Sequence, residues 1–167
     1  TTLFDGADPK SVRAFFDEMM ELGIEGMMLS PGYSYEKAPD QNRFLGRART
    51  RRLFRAILAN RKPDWRFNMS PLFLEFLMGK RDYPCTPWGN PTRTPKGWKG
   101  PCYLIDQQKF ATWDEFWNGV DWDYWESRQD PRCQNCMMHS GFEASVVRRL
   151  GSNLADVATM ARWNFSS

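Results

Sequence analysis

Four cysteines are the residues of this 167-residue chain whose types and spacing best suit chemistry. Cys133 and Cys136 stand in "PRCQNCMMHSG" with the C-x2-C spacing that lets two thiolates reach one metal from a single turn. Cys85 and Cys102 bracket "CTPWGNPTRTPKGWKGPC", a C-x11-G-x4-C stretch that holds Pro87, Pro91, Pro95, Gly89, Gly97 and Gly100. Proline and glycine favour turns and oppose a long helix, so this stretch is expected to double back and bring its two end sulfurs near each other. A wide pair plus a tight pair makes a complete first shell for zinc or for an iron–sulfur cluster, and spacing alone leaves the two nearly even. Free buried thiols and disulfides are the competing readings; the tight pair argues against the first and a reducing compartment against the second. The single histidine, His139, is expected to hydrogen-bond a sulfur or a backbone group rather than to replace a cysteine as a zinc ligand.

The elements that must position these groups read as follows. Asp8-Pro9 is a helix start, with Val12, Phe15, Phe16, Met19 and Met20 at helical spacing and Gly23 as the stop, predicting a helix from Pro9 to Leu22. The β-prone run of Thr1 to Phe4 precedes it, and "IEGMMLSPGY" follows as a strand ending at Ser30-Pro31-Gly32. Strand, helix, strand predicts a βαβ unit and a parallel sheet. In such sheets ligands bind beyond the carboxyl ends of the strands, which makes Ser30, Tyr33 and Tyr35 candidate substrate-binding residues. A helix with a basic face is expected over residues 40–60, where Arg43, Arg47, Arg49, Arg51, Arg52 and Arg55 alternate with apolar side chains. The plainest reading of that face is solvated arginines whose stems cover apolar surface; anionic lipid or a substrate phosphate is the other. Ser70-Pro71 opens a helix that is apolar on every side except at Glu75 and is therefore expected to be buried. Thr112 and Glu115 have capping-box spacing, and closing helices are expected over residues 141–150 and 153–163.

Composition changes along the chain, since all eight Trp lie from Trp65 onward and all four Cys from Cys85 onward. We place a boundary accordingly, with residues 1–39 as one region and residues 40–167 as another. A net charge of +3 is too mild to predict nucleic-acid binding, which needs clustered cations on a recognisable module. Arg93, Lys96, Lys99 and Arg132 could offset a thiolate shell, although solvated cations are the ordinary reading. No stretch approaches the roughly 20 apolar residues of a membrane span, and no signal-peptide pattern opens the chain, which points to the cytoplasm. An opening Thr followed at once by a β-prone run reads as a chain that begins inside a larger protein.

The series "SPGYSYEKAPDQNRFL", "SPLFLEFLMG", "CTPWGNPTRTPKGW", "PCYL" and "CQNCMMHSGFE" resembles the C-terminal half of the hopanoid-biosynthesis radical S-adenosylmethionine enzymes, the adenosylhopene transferase family, over about residues 26–147. The resemblance implies an α/β fold: the C-terminal part of a partial (β/α) barrel over residues 1–39, then a mainly helical, cysteine-containing C-terminal domain over residues 40–167. It implies a transferase whose 5′-deoxyadenosyl radical, made from S-adenosylmethionine at a cluster on a C-x3-C-x2-C motif, adds to the alkene of a hopene. It also tips the cysteines toward an auxiliary 4Fe-4S cluster, with zinc as the alternative, because the C-x11-G-x4-C stretch is similar to the auxiliary-cluster signature of other radical enzymes. Two departures stand out: the chain contains no C-x3-C-x2-C, and Ser140 stands where the family is expected to show Cys after the His. The implied partners are the hopene, an N-terminal barrel region carrying the missing motif, an electron donor, and peripheral contact with the inner face of the membrane. The rival expectation is a noncatalytic, zinc-stabilised interaction module.

Overall fold

The computed structural model describes residues 1–34 and 39–165, and it divides the chain into two compact units: residues 1–82 with 149–167, and residues 83–148. Helices and a few short strands mix, so the chain is α/β in kind and mainly helical. The units part at residues 82/83 and 148/149, and Asp40, where the composition boundary was placed, lies inside the first unit.

The first unit opens with β1 (Thr2–Leu3), α1 (Pro9–Glu21) and β2 (Ser30–Pro31). The strands are parallel, with Thr2 opposite Ser30 and Leu3 opposite Pro31, as the strand-helix-strand pattern predicts. A parallel bridge between Met27 and Phe67 extends the same arrangement. The helix starts where expected because Asp8 Oδ2 accepts the Ser11 amide at 2.9 Å and Pro9 fits the first turn. Its buried face centres on Phe16, which meets the rings of Trp65 and Phe67 edge-on at 5.2 and 5.5 Å. Asp17, one residue on, accepts from Lys62 Nζ at 2.7 Å and from the Trp65 indole at 2.8 Å.

The predicted helix over residues 40–60 is shorter than expected. A 3-10 turn at Gln41–Arg43 is followed by extended Phe44, and α2 runs only from Arg47 to Leu58. The cause is burial of Leu45, whose amide donates to Gly32 O at 3.3 Å beyond the end of β2, so tertiary packing draws the chain out of helical register. Thr50, Phe54, Ile57 and Leu58 form the buried face of α2. Its arginines are largely engaged within the unit: Arg47 and Arg51 pair with Asp82 at 2.7 and 3.6 Å, Arg49 pairs with Asp5, and Arg55 donates to Met78 O at 3.0 Å. The Arg47 guanidinium also lies 5.3 Å over the Phe76 ring. These partners engage arginines that the plainer reading of the sequence leaves solvated. Ser70 Oγ accepts the Phe73 amide at 3.1 Å and opens α3 (Pro71–Leu77), buried throughout except at Pro71 and Glu75 and closed at Gly79, where φ is +74°.

The second unit carries the cysteines. Strands β3 (Thr92–Thr94), β4 (Gly97–Pro101) and β5 (Asp106–Phe110) form an antiparallel sheet in that order. Arg93, Trp98 and Phe110 are opposite one another and share a face. On that face Trp98 meets Trp113 at 5.0 Å and Phe116 at 5.9 Å, both in α4 (Trp113–Gly119). The predicted capping box is complete: the Glu115 amide donates to Thr112 Oγ1 at 3.2 Å, and Glu115 Oε2 accepts the Thr112 amide at 3.1 Å. Then follow α5 (Trp122–Glu126), α6 (Pro131–Gln134) and α7 (His139–Arg149). Through a 3-10 turn at Leu150–Ser152 the chain returns to the first unit as α8 (Leu154–Phe165), where buried Asp156 takes a 2.8 Å ion pair from Arg81, itself also paired with Glu75.

Gly97 is the tightest turn in the cysteine-bracketed stretch. Its φ is +114°, and an added Cβ would lie 2.3 Å from the Phe110 carbonyl oxygen, a backbone atom that cannot swing aside. Gly97→Ala is expected to lower stability to urea by about 2 kcal/mol or more. Gly151→Ala, whose Cβ would meet nothing within 4 Å, is expected to change it by less than about 0.5 kcal/mol. Equal losses in the two variants would show that the close approach at Gly97 has no energetic weight.

Candidate metal centre

Each cysteine is held by a different local device. Cys85 precedes a 3-10 turn at Pro87–Gly89 and is anchored through its neighbour, whose amide donates to Gly141 O at 3.1 Å. Buried Thr86 Oγ1 also lies 2.8 Å from Ser145 Oγ, which in turn is 2.7 Å from Pro84 O and 2.8 Å from Gly141 O. Gly141 makes room for the thiol, since a Cβ there would stand 2.6 Å from Cys85 Sγ. Cys102 follows β4 directly, and its sulfur accepts the amide hydrogens of Ile105 and Leu104. Cys133 lies in α6, which is capped by Asp130 Oδ1 accepting the Arg132 amide at 2.9 Å. Cys136 lies one turn on, its amide donating to Cys133 O at 3.1 Å.

All four cysteines are partly buried. Burial is the main reason Cys85 is held well above the ordinary thiol range, and the charges of Cys136, Cys102 and Cys133 add to it. Cys133 is pushed up to about 12, first by burial and then by Cys136 and Cys102. Burial raises Cys102 as well, opposed by the two amides and by Lys99 and Arg132. In space, Cys102 and Cys133 pack against one aromatic cluster and Cys136 follows one turn beyond Cys133. Among the described residues, no group of three or more His, Cys, Asp or Glu side chains is disposed to hold a metal ion as it stands. The donor set nonetheless suits a soft metal or cluster: four thiols, two amides aimed at one sulfur, and a glycine where a side chain would crowd another.

His139 begins α7, and burial lowers its pKa, which keeps it neutral. Of the expected substrate residues, Ser30 lies in β2 and Tyr33 is partly buried two residues past its carboxyl end, both in the first unit. Tyr35 lies outside the described residues. Sequence reasoning did not single out Gly141, Arg128 or the amides of residues 104 and 105. Gly141, in the first turn of α7 and five residues beyond Cys136, was the one available signal of a close approach.

In the metal-free protein, raised thiol pKa values contribute stability that is fully present below the unfolded thiol value of about 8.5. That stability is lost as pH rises toward the folded value of about 12 at Cys133. The same shift slows alkylation. At pH 8.5, Cys133 of the folded, metal-free chain should react with iodoacetamide at least about tenfold more slowly than in guanidinium, as read by peptide mass spectrometry. Matching rates would mean that the thiol is neither desolvated nor crowded by its neighbours.

No curated protein and no solved structure matches the chain. A family model described as a domain of unknown function (DUF3463) matches residues 27–160, a span that takes in Ser30, Tyr33 and all four cysteines. With most of its length matched in this way, the chain belongs to the DUF3463 family.

Proposed function

We propose that this domain is the substrate-side and auxiliary-cluster part of a radical S-adenosylmethionine enzyme of hopanoid biosynthesis that transfers a 5′-deoxyadenosyl group to a hopene. The observation that carries the reading is the packing of Cys102, from the wide pair, and Cys133, from the tight pair, against one aromatic cluster. Parallel pairing of β1 with β2 across α1 supports residues 1–39 as the C-terminal part of a (β/α) barrel.

The four cysteines would hold the centre as thiolates. An iron–sulfur cluster in that shell supplies one-electron transfer, whereas zinc supplies folding energy alone. The protein's own part is to gather the ligands and moderate their charge. Amides of residues 104 and 105 serve Cys102, Lys99 and Arg132 face it from nearby, and Arg128 acts on Cys85. Ser30, Tyr33 and Tyr35 form the substrate side, where tyrosine offers an apolar ring with a polar tip to a polycyclic hydrocarbon. In the transfer a bond forms between the 5′ carbon and one alkene carbon while the π bond is consumed. The other alkene carbon then takes one electron from the electron donor and one proton from solvent, which completes the addition. Because this chain has no C-x3-C-x2-C, cleavage of S-adenosylmethionine belongs to an N-terminal barrel region of the same enzyme. Among the described residues no helix is long and apolar enough to cross a membrane. In this reading the hydrocarbon is met at the inner face of the bilayer by peripheral contact.

Anaerobic reconstitution with iron and sulfide should yield a brown chain carrying about four iron atoms, with iron lost in Cys133→Ser. A colourless chain that takes one zinc instead would replace this reading with the zinc-stabilised interaction module. In an enzyme joining this domain to a C-x3-C-x2-C barrel, Tyr33→Ala should lower adenosylated product about tenfold or more while 5′-deoxyadenosine release continues, since the radical arises at another centre. Parallel loss of both products would remove Tyr33 from the substrate side.

A further inference from the structure

The first unit holds a cavity of about 650 Å³, walled by Glu25, by side chains between residues 61 and 68, and by Trp163 and Asn164 near the end of α8. The parallel bridge between Met27 and Phe67 gives its place. Glu25 and Arg66 come before the bridged residues, whereas Ser30 and Tyr33 come after them. The cavity therefore lies at the amino end of these parallel segments, opposite to the carboxyl end where the candidate substrate residues stand. Its volume falls in the range of small-molecule sites, about 300–1,000 Å³.

Two of its walls are fixed by the core. Trp65 and Phe67 are buried, and both meet Phe16 edge-on, while the Trp65 indole also donates to Asp17 at 2.8 Å. Exposed Arg61 rests on this base. Its amide donates to Leu58 O at 3.2 Å, and its guanidinium carbon lies 4.9 Å from the Phe67 centroid. A guanidinium carries five N–H donors, and Arg61 uses one of them, from Nη2 to Trp65 O at 3.3 Å. Arg47, Arg49, Arg51 and Arg81 pair with carboxylates, but Arg61 pairs with none among the described residues. Arg66 adds a second cation to the walls and Glu25 one carboxylate, so positive charge is in excess. Half-buried Trp163 supplies an aromatic side.

We propose that this cavity binds an organic anion with a planar aromatic body, an aryl phosphate or aryl carboxylate, whose acidic group takes the open donors of Arg61 and whose ring lies against Trp163. The chemistry of the walls sets the class. A guanidinium fork matches two oxygens of a phosphate or carboxylate, and its stacking on Phe67 holds the fork in place. An indole face favours a flat apolar partner. An exposed ion pair is weak by itself, so inorganic phosphate and a neutral arene each satisfy only half of the site. The cysteines belong to the other unit, so this site stands whether or not they hold a metal.

The test is calorimetric titration of the whole chain with 2-naphthyl phosphate, set beside inorganic phosphate and 2-naphthol. One molecule of 2-naphthyl phosphate should bind with a Kd of about 0.5 mM or tighter, and the two partial ligands at least about tenfold more weakly. Arg61→Gln should weaken 2-naphthyl phosphate about tenfold or more. Arg52→Gln, which removes an exposed arginine of α2 outside the cavity, should leave it unaltered. Absence of binding overturns the proposal, and so does 2-naphthol binding as tightly as its phosphate, which is the mark of an apolar groove. Equal losses in the two variants reduce the effect to general surface charge and reject the site. Magnetic resonance of the unchanged chain decides the matter even if Arg61→Gln fails to fold: the Trp163 indole and Arg61 Nε signals should shift as 2-naphthyl phosphate is added, and binding that moves neither lies elsewhere and rejects the cavity.

Discussion

The cysteine-bearing unit depends on one close approach, that of Cys85 to the first turn of α7. Thr86 and Ser145, 59 residues apart, meet there through their hydroxyls, and the Thr86 amide takes the Gly141 carbonyl. Joining positions so distant along the chain costs loop-closure entropy, which local propensity does not offset. Hydrogen bonds among fully buried groups and the fit of a thiol against a bare Cα do so instead, because each buried polar group would otherwise be left without a partner. Once this contact is made, the stretch from residue 85 to 102 and the turn at 133–136 are held within one small unit.

Aromatic packing then sets the shape of what lies between. Phe116 stands at the centre, within 6.0 Å of Phe110 and 5.2 Å of Trp122 as well as against Trp98 and Trp113. Cys102 and Cys133 pack against the same cluster, so the hydrophobic core of the unit is also the wall of the thiol neighbourhood. That wall has an electrostatic effect. It removes water from two of the sulfurs, which raises their pKa and makes the surrounding amides and cations matter more than they would at a surface.

The first unit follows a different logic. Its parallel segments are short, and their order comes from the helix that covers them, with Phe16 seated on Trp65 and Phe67. The charged residues are tied down rather than presented: Asp17 holds Lys62 and the Trp65 indole, and Arg81 joins Glu75 on α3 to Asp156 on α8. A partly buried ion pair of this sort contributes less to net stability than to fixing which helix lies where, because desolvation offsets much of the attraction.

Sequence alone determined the parts of this protein whose cause spans a single turn. Asp8 with Pro9, Ser70 with Pro71, and Thr112 with Glu115 each open a helix at the expected place, because a cap needs only an acceptor and an amide three residues on. Gly23 and Gly79 stop helices for an equally local reason, a positive φ. The density of Pro and Gly between Cys85 and Cys102 made a returning hairpin legible, and the C-x2-C turn was legible from its spacing. Tertiary structure decided the rest. Leu45 leaves a helical pattern because its burial beyond β2 outweighs propensity, and α8 returns to the first unit because Asp156 finds Arg81 across 75 residues. Gly141 and Arg61 gain their meaning from neighbours that only the folded chain supplies: a thiol from a distant loop for one, a buried ring for the other. Contacts within a turn are written in residue order, whereas contacts between segments depend on which surfaces exclude water together, and that is settled only when the whole unit packs.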